Sequence, residues 1–462
     1  MGQLDSLFKL ILSPAGIGAG IIALGFLWYC LKYQKIVYLL MGGCLFCASL
    51  ARYADEFVTA PPLFGPLEML RSMGRPITVG LLLLIFILAL SIPKQDDKLK
   101  IPSALFGLII VQYLIMIKTI YYGGMAFSIA YFILFIIIVY TLCKGLGGRI
   151  KSWVNFDQVA GSIALAGALF VWINSFQGAV GRDAIVFIQG RFSGTTGNPN
   201  HAAVFLATVF PALLYAITKA KKLKILFWSV TALLAFYWLL ISGSRTGLIM
   251  AVMSFLLFFS HKVLYFTVRI IGWGLALSLF FYVFPGLVEL GEITEVIGWD
   301  GMAERLNRKF EGGLDTRAEI WQTQFNYFNH YPIFGAPVSG DRIIFGENSW
   351  LGIAAQFGWM GLLPMLFFGI GIIYKMTILW KTRIYHTARA NELNLCFAGL
   401  ASLMIGSFNE AYLLGNLSFP IMSLILYLIL ADASLMLVAQ EKKQKRITID
   451  HNSIVYSPPI YN

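Results

Sequence analysis

About thirteen long apolar runs, joined mostly by short polar links, dominate this chain of 462 residues. They fall at roughly 14–31, 36–51, 76–92, 101–118, 125–143, 158–177, 201–218, 225–242, 246–260, 264–284, 348–374, 391–408 and 417–438. A helix needs about 17–25 such residues to cross the hydrocarbon of a bilayer, where every backbone polar group must be paired internally. With 58% hydrophobic and 13% charged residues, against about 45–50% and about 25% in soluble domains, a water-soluble fold of this length could not hide its apolar side chains. The expected fold is all-α, a polytopic transmembrane helical bundle of about 12–14 spans with one long outer loop containing amphipathic helices. The expected boundaries are 1–284 for an N-terminal bundle of about ten spans, 285–346 for the outer loop, 347–440 for C-terminal spans and 441–462 for a cytoplasmic tail.

The net charge of +12 would suggest nucleic acid in a soluble protein. In a membrane protein the position of the charges matters more than their sum. Taking the links alternately, one set carries 21 basic residues, 17 of them Lys, including Lys144, Lys219, Lys375, Arg383 and Arg389. The positive-inside rule makes that set cytoplasmic. The opposite set carries twelve, ten of them Arg: Arg52, Arg71, Arg75, Lys118, Arg182, Arg191, Arg245, Arg305, Arg308, Lys309, Arg317 and Arg342. Topology needs only positive charge, whereas the guanidinium fork grips phosphate or carboxylate at two points. The outer arginines therefore read either as a grip on an anionic ligand or as snorkelling side chains at the membrane edge. No nucleic-acid partner is expected.

Cys30, Cys44, Cys47, Cys143 and Cys396 all lie in or beside apolar runs. Cys44 and Cys47 have C-x-x-C spacing but no polar or His neighbours, so apolar packing is expected, with neither zinc nor redox chemistry. Met1–Lys9 makes a poor n-region for a cleavable signal peptide.

Four polar segments stand on the Arg-rich side. The first, Gly190-Arg-Phe-Ser-Gly-Thr-Thr-Gly-Asn-Pro-Asn200, offers free loop amides, Asn200 as a helix N-cap and Arg191 nearby, which together suit an anion. An ordinary turn explains the glycines but not Arg191, and His201 beside it reads as structural. In the second, Ser242-Gly-Ser-Arg-Thr-Gly247, Ser244 caps a helix whose first turn then holds Arg245, against the helix dipole. In the third, Thr316-Arg-Ala-Glu319 has capping-box spacing and predicts a helix over about 317–329. That helix would carry Ile320, Trp321, Phe325 and Phe328 on one face and stop at His330-Tyr-Pro332. Such a helix would lie on the membrane over the bundle, while Glu292–Lys309 upstream reads as a solvated charged face. In the fourth, Gly346-Glu-Asn-Ser-Trp350, an acid stands where the chain re-enters the membrane, a costly position unless the group is paired, hydrated or useful. Glu347 reads either as a helix-capping acid or as a general base, with Arg342 as its partner or a further ligand contact. Asn409 and Glu410 would add polar lining. Asp55 and Glu56 lack the further ligands a metal site needs.

Taken in order, these pieces resemble the O-antigen ligase/polymerase family, over roughly Arg191 to Leu363. The resemblance rests on Arg191…Gly194…Asn198-Pro-Asn200, Ser244-Arg-Thr246, Arg317…Trp321, His330-Tyr-Pro-Ile-Phe-Gly335, Glu347-Asn-Ser-Trp350 and Gln356-Phe-Gly-Trp-Met-Gly361. It implies a GT-C-like membrane glycosyltransferase of the bacterial inner membrane that works on the periplasmic face. The donor would be a glycan on undecaprenyl diphosphate, the acceptor a hydroxyl of a second glycan, with room for a chain-length-regulating partner. Arg191, Arg245 and Arg317 match the positions that engage diphosphate; Arg342, His330 and Asn348 join them as candidate substrate contacts. Where ligases have His-Asn this chain has Glu347-Asn348, which favours a polymerase over a ligase to lipid A–core or protein. The implied step is one inverting displacement with Glu347 as base, and because the diphosphate is already an activated leaving group, no metal, nucleotide or other cofactor is expected. A flippase or transporter is the non-enzyme alternative. It would account for the spans and outer arginines, but such proteins commonly carry internal repeats, and none is visible.

Overall fold

A computed structural model of the chain describes residues 35–50, 70–71, 73–91, 101–121, 125–147, 155–179, 187–188, 191–260, 318–337, 343, 345–385, 387–415 and 417–455. The expected spans at 14–31 and 264–284, the charged segment Glu292–Lys309, Asp55, Glu56, Arg317 and Arg342 lie outside the described residues.

The elements in chain order are α1 (Ile36–Leu50), α2 (Gly74–Ser91), α3 (Ala104–Tyr121), α4 (Met125–Tyr140, continued by a π-helical turn Thr141–Leu146), α5 (Phe156–Ala179) and the short antiparallel strands β1 (Phe187–Ile188) and β2 (Arg191–Phe192). They continue with α6 (Pro199–Lys219), α7 (Leu223–Ser242), α8 (Arg245–Phe258), α9 (Ala318–His330), α10 (Ser349–Tyr385), α11 (Ala390–Ser407) and α12 (Phe419–Val455). Among the described residues seven helical stretches are long and apolar enough to cross a membrane: α3, Ser128–Leu146, Phe156–Phe176, α6, α7, α10 and Phe419–Lys443. α1, most of α2 and α8 are shorter apolar helices. The chain is a multi-pass membrane protein. α12 continues as helix to Val455, into the segment 441–462 expected to be a tail.

α6 is largely enclosed, packed against α5, α7, α8 and α11. In a bundle surrounded by lipid, close helix approach depends on small residues and on buried polar contacts. Both occur where α6, α11 and α12 meet. The fully buried Tyr427 donates its hydroxyl to the Thr208 carbonyl at 2.8 Å, and its ring lies where a Cβ on Gly399 would stand.

The helices alternate in direction, so the bundle has two chemically distinct ends. At one end Lys219 reaches Asp157 at 3.7 Å and Glu392 at 3.5 Å, and Arg389 pairs with Glu392 at 2.7 Å and Glu441 at 2.6 Å. There Arg383 also caps the end of α8 through the Leu257 carbonyl at 3.3 Å and stacks on Trp380 with 4.0 Å to the ring centre. All three cations belong to the Lys-rich set. The starts of α6, α8, α10 and α12 and the ends of α7 and α11 gather at the other end, with Arg191 and Arg245. The separation of the two cation sets along the chain is thus a separation in space.

Candidate functional site

The Arg-rich end is assembled from the segments singled out in the sequence. α6 begins at Pro199, whose missing N–H and fixed φ suit the first helical position. The N-cap is Asn198, whose Oδ1 accepts from Asn200 N at 2.8 Å and His201 N at 3.4 Å. The expected cap, Asn200, instead lies inside the helix, because Pro199 fixes the start one residue earlier. Its own Oδ1 accepts from Arg191 Nη2 at 2.9 Å, while Arg191 Nε donates to the Ser242 carbonyl at 2.7 Å. Arg191 therefore fastens the glycine-rich loop to the last turn of α7. Gly243 turns the chain with φ +61° and Ser244 caps α8, accepting from Gly247 N at 3.4 Å. Arg245 then stands exposed in the first turn of α8, three residues from the carbonyl that Arg191 holds. Lys cannot reproduce the two-directional donation of Arg191. Arg191→Lys is expected to lower unfolding stability by roughly 1–2 kcal/mol, measured as Tm in detergent.

Where the chain re-enters the membrane, Asn348 is the cap. Its Oδ1 accepts from Trp350 N at 2.8 Å and Leu351 N at 3.0 Å, and its Nδ2 donates to the Phe408 carbonyl at 2.7 Å. Ser349 Oγ donates to the Glu410 carbonyl at 2.7 Å, and Trp350 Nε1 to Ser407 Oγ at 2.9 Å. The start of α10 is thereby tied to the α11–α12 link. Glu347 is half-buried, one residue before the cap, with its Oε2 shielded from solvent. Of the two readings of Glu347, the capping role belongs to Asn348. Asn348→Ala, which loses both the cap and the donor to Phe408, is expected to cost about 1–2 kcal/mol or more; thermal unfolding measures it.

The helix expected over about 317–329 forms as α9, but with a different buried face. Gln324 is its most buried side chain and donates to the Phe345 carbonyl at 2.5 Å. Trp321 and Phe328 flank it, with the Phe328 ring edge-on to Trp359 at 5.6 Å, whereas Ile320 and Phe325 are exposed. The non-helical approach to α10 presents a carbonyl that needs a donor, so a polar residue takes the inner position. His330 is exposed at the end of α9, its Nδ1 2.8 Å from the Asn326 carbonyl, and among the described residues nothing joins it to the cavity below.

The turn after His330 braces a break in α10. Gly358 there has φ +58°, ψ −148°, and the freed backbone groups pair with the turn. Ala336 N donates to Ala355 O at 2.8 Å, Trp359 N to Pro332 O at 2.7 Å and Met360 N to Ile333 O at 3.2 Å. Lys118, at the end of α3, donates to Ala336 O at 2.6 Å and to Gln356 O, with the Phe357 ring centre 4.8 Å away. Lys118 is one of only two lysines in the Arg-rich set, a departure in residue type that marks its different work: capping carbonyls.

Beneath these segments lies a cavity of about 250 Å³. Its walls come from Ala48 and Ser49 of α1, Thr196 of the loop, His201, Val204 and Phe205 of α6 and Gly346 beside Glu347. Glu410, Ala411, Tyr412 and Gly415 of the α11–α12 link and Ser418, Phe419 and Pro420 close it. The first and fourth segments therefore meet here, and Glu410 supplies the polar lining expected of it. His201, expected to be structural, is in the wall because the cap at Asn198 puts it in the first turn of α6. Burial and the neighbouring Glu410 carboxylate hold the Tyr412 hydroxyl well above its ordinary pKa, so it stays protonated and donates to the Leu403 carbonyl. Among the described residues no three His, Cys, Asp or Glu side chains gather as a metal site, and Cys44, Cys47, Cys143 and Cys396 are buried thiols.

Compared with known proteins, the chain matches no protein-family model, and no curated protein matches it.

Proposed function

We propose that the chain is a membrane glycosyltransferase that joins polyprenyl-diphosphate-linked glycan units into a polymer. The observation that carries this reading is the meeting of the glycine-rich loop, the Glu347 re-entry and the Glu410 link around one cavity at the Arg-rich end of the bundle. A base one residue from the cavity wall, at the end of the bundle that carries the arginines, would meet the needs of glycosyl transfer from a diphosphate. In the proposed step Glu347 takes the proton of an acceptor hydroxyl, whose oxygen forms a bond to the anomeric carbon. The carbon–oxygen bond to the diphosphate breaks, and the diphosphate leaves with the electron pair. Arg245, with Arg191, Arg317 and Arg342, stabilises the charge that develops on it. His330 and Asn348, the other candidate contacts, take no step here: His330 is turned to Asn326 and Asn348 is spent on the cap. A GT-C-type bundle, undecaprenyl as the lipid and the outer face of a bacterial inner membrane go with this reading.

Purified protein mixed with lipid-linked oligosaccharide alone tests it. The expected result is longer lipid-linked glycans. A product that forms only after lipid A–core or an acceptor protein is added assigns a ligase instead. Glycan that crosses a sealed bilayer unchanged assigns a transporter and overturns the proposal.

A further inference from the structure

We infer that the cavity is a subsite for one uncharged sugar ring, distinct from the arginines assigned to the diphosphate. The inference deepens the proposed reaction and rests on it only for calling that sugar the acceptor.

Three observations point to a neutral polyol. First, no Lys or Arg is among the described residues of the wall, whereas Glu410 is. A diphosphate there would face like charge with no counter-cation, while a sugar hydroxyl can donate to a carboxylate in a charge-assisted hydrogen bond. Second, Ser418 is 4% exposed and lies in the wall, yet its Oγ makes no hydrogen bond among the described residues. It stands just before the first residue of α12, where a serine usually caps the helix. A buried hydroxyl left without a partner is costly, and a ligand hydroxyl supplies the missing partner. Third, the size and walls fit. At about 30 Å³ per water the 250 Å³ equals about eight waters, at the small end of ligand pockets and suited to a single ring. Phe205 and Phe419, with ring centres 4.2 Å apart, make part of the wall apolar. Gly346, in the same wall, is the residue before Glu347.

Saturation-transfer NMR on the full chain in lipid nanodiscs tests this with glucose, galactose, N-acetylglucosamine and rhamnose as probes, and inorganic pyrophosphate as the anionic control. At least one free sugar is expected to bind, with Kd on the order of 1 mM for so small a ligand. Ser418→Ala is expected to weaken it about 5-fold or more without lowering Tm, since the hydroxyl supports nothing in the fold. Glu410→Gln is expected to weaken it about 10-fold and to leave pyrophosphate binding unchanged. Ser418→Phe is expected to fill the space and abolish sugar binding alone. Absence of any sugar signal, sugar binding indifferent to both Ser418→Ala and Glu410→Gln, or pyrophosphate displaced by Ser418→Phe each overturns the inference. Because free sugars need no transfer chemistry, sugar binding without chain extension would count against the proposed reaction and leave the subsite standing.

Discussion

Glu347→Gln is expected to reduce chain extension by roughly 100- to 10,000-fold, the range that a positioned general base contributes. The substitution keeps the shape of the side chain and removes only its ability to take a proton. The start of α10 does not depend on it, because Asn348 supplies the cap and Ser349 and Trp350 supply the ties to the α11–α12 link. Membrane insertion and Tm should therefore remain near wild type, so that lost activity reports chemistry. Glu347→His is the informative companion. An imidazole at the same point can take a proton, and partial recovery relative to Gln is the expected result. Near-normal product length in Glu347→Gln would remove Glu347 from the reaction.

Gly335→Ala is expected to destabilise the protein most among single methyl additions, by about 3 kcal/mol or more. Gly335 has φ +75°, a conformation that costs any L-residue. A Cβ there would also stand inside van der Waals contact of the backbone at Gln356 and Phe357. Backbone atoms cannot rotate away, so the turn must lift from the break in α10. Lifting it strands the groups now paired at Ala355–Ala336, Pro332–Trp359 and Ile333–Met360, and takes Ala336 O from Lys118. Gly80→Ala is the control. It adds a methyl to a helix at a position with nothing within 4 Å, and should be neutral or slightly stabilising. Thermal unfolding of both variants in the same detergent measures the contrast.

How much of this was legible in the sequence depends on the kind of interaction involved. Spans were visible because lipid demands uninterrupted apolar helix, so α3 to α8 and α11 fall within a few residues of their expected positions, while α10 and α12 start where expected and run on as helix past their expected ends at 374 and 438. The two-ended charge pattern was visible for the same reason: alternating links must alternate sides. Ser244 as a cap was also readable, being a local property. Asn198 instead of Asn200 was equally local, and the decisive signal was Pro199, which fixes the first helical residue. By contrast, the buried face of α9 turns on Phe345, 21 residues from Gln324, and hydropathy within the helix carries no trace of it. The same holds for the cavity. Ser49, Thr196, Gly346 and Ser418 are unremarkable in their own segments and acquire a common role only where α1, α6, α10 and α12 meet. Lys118 had a clue in its residue type but none to its partners, which sit 218 and 238 residues away.

The proposed reaction is tested most directly by measuring polyprenyl diphosphate released as glycan bonds form, with purified protein and a single lipid-linked repeat unit. The expected result is one diphosphate-bearing lipid freed for each bond made, with products that grow by whole repeat units and with both signals lost in Glu347→Gln. Longer products without released polyprenyl diphosphate, or no growth at all with the substrate bound, would contradict it.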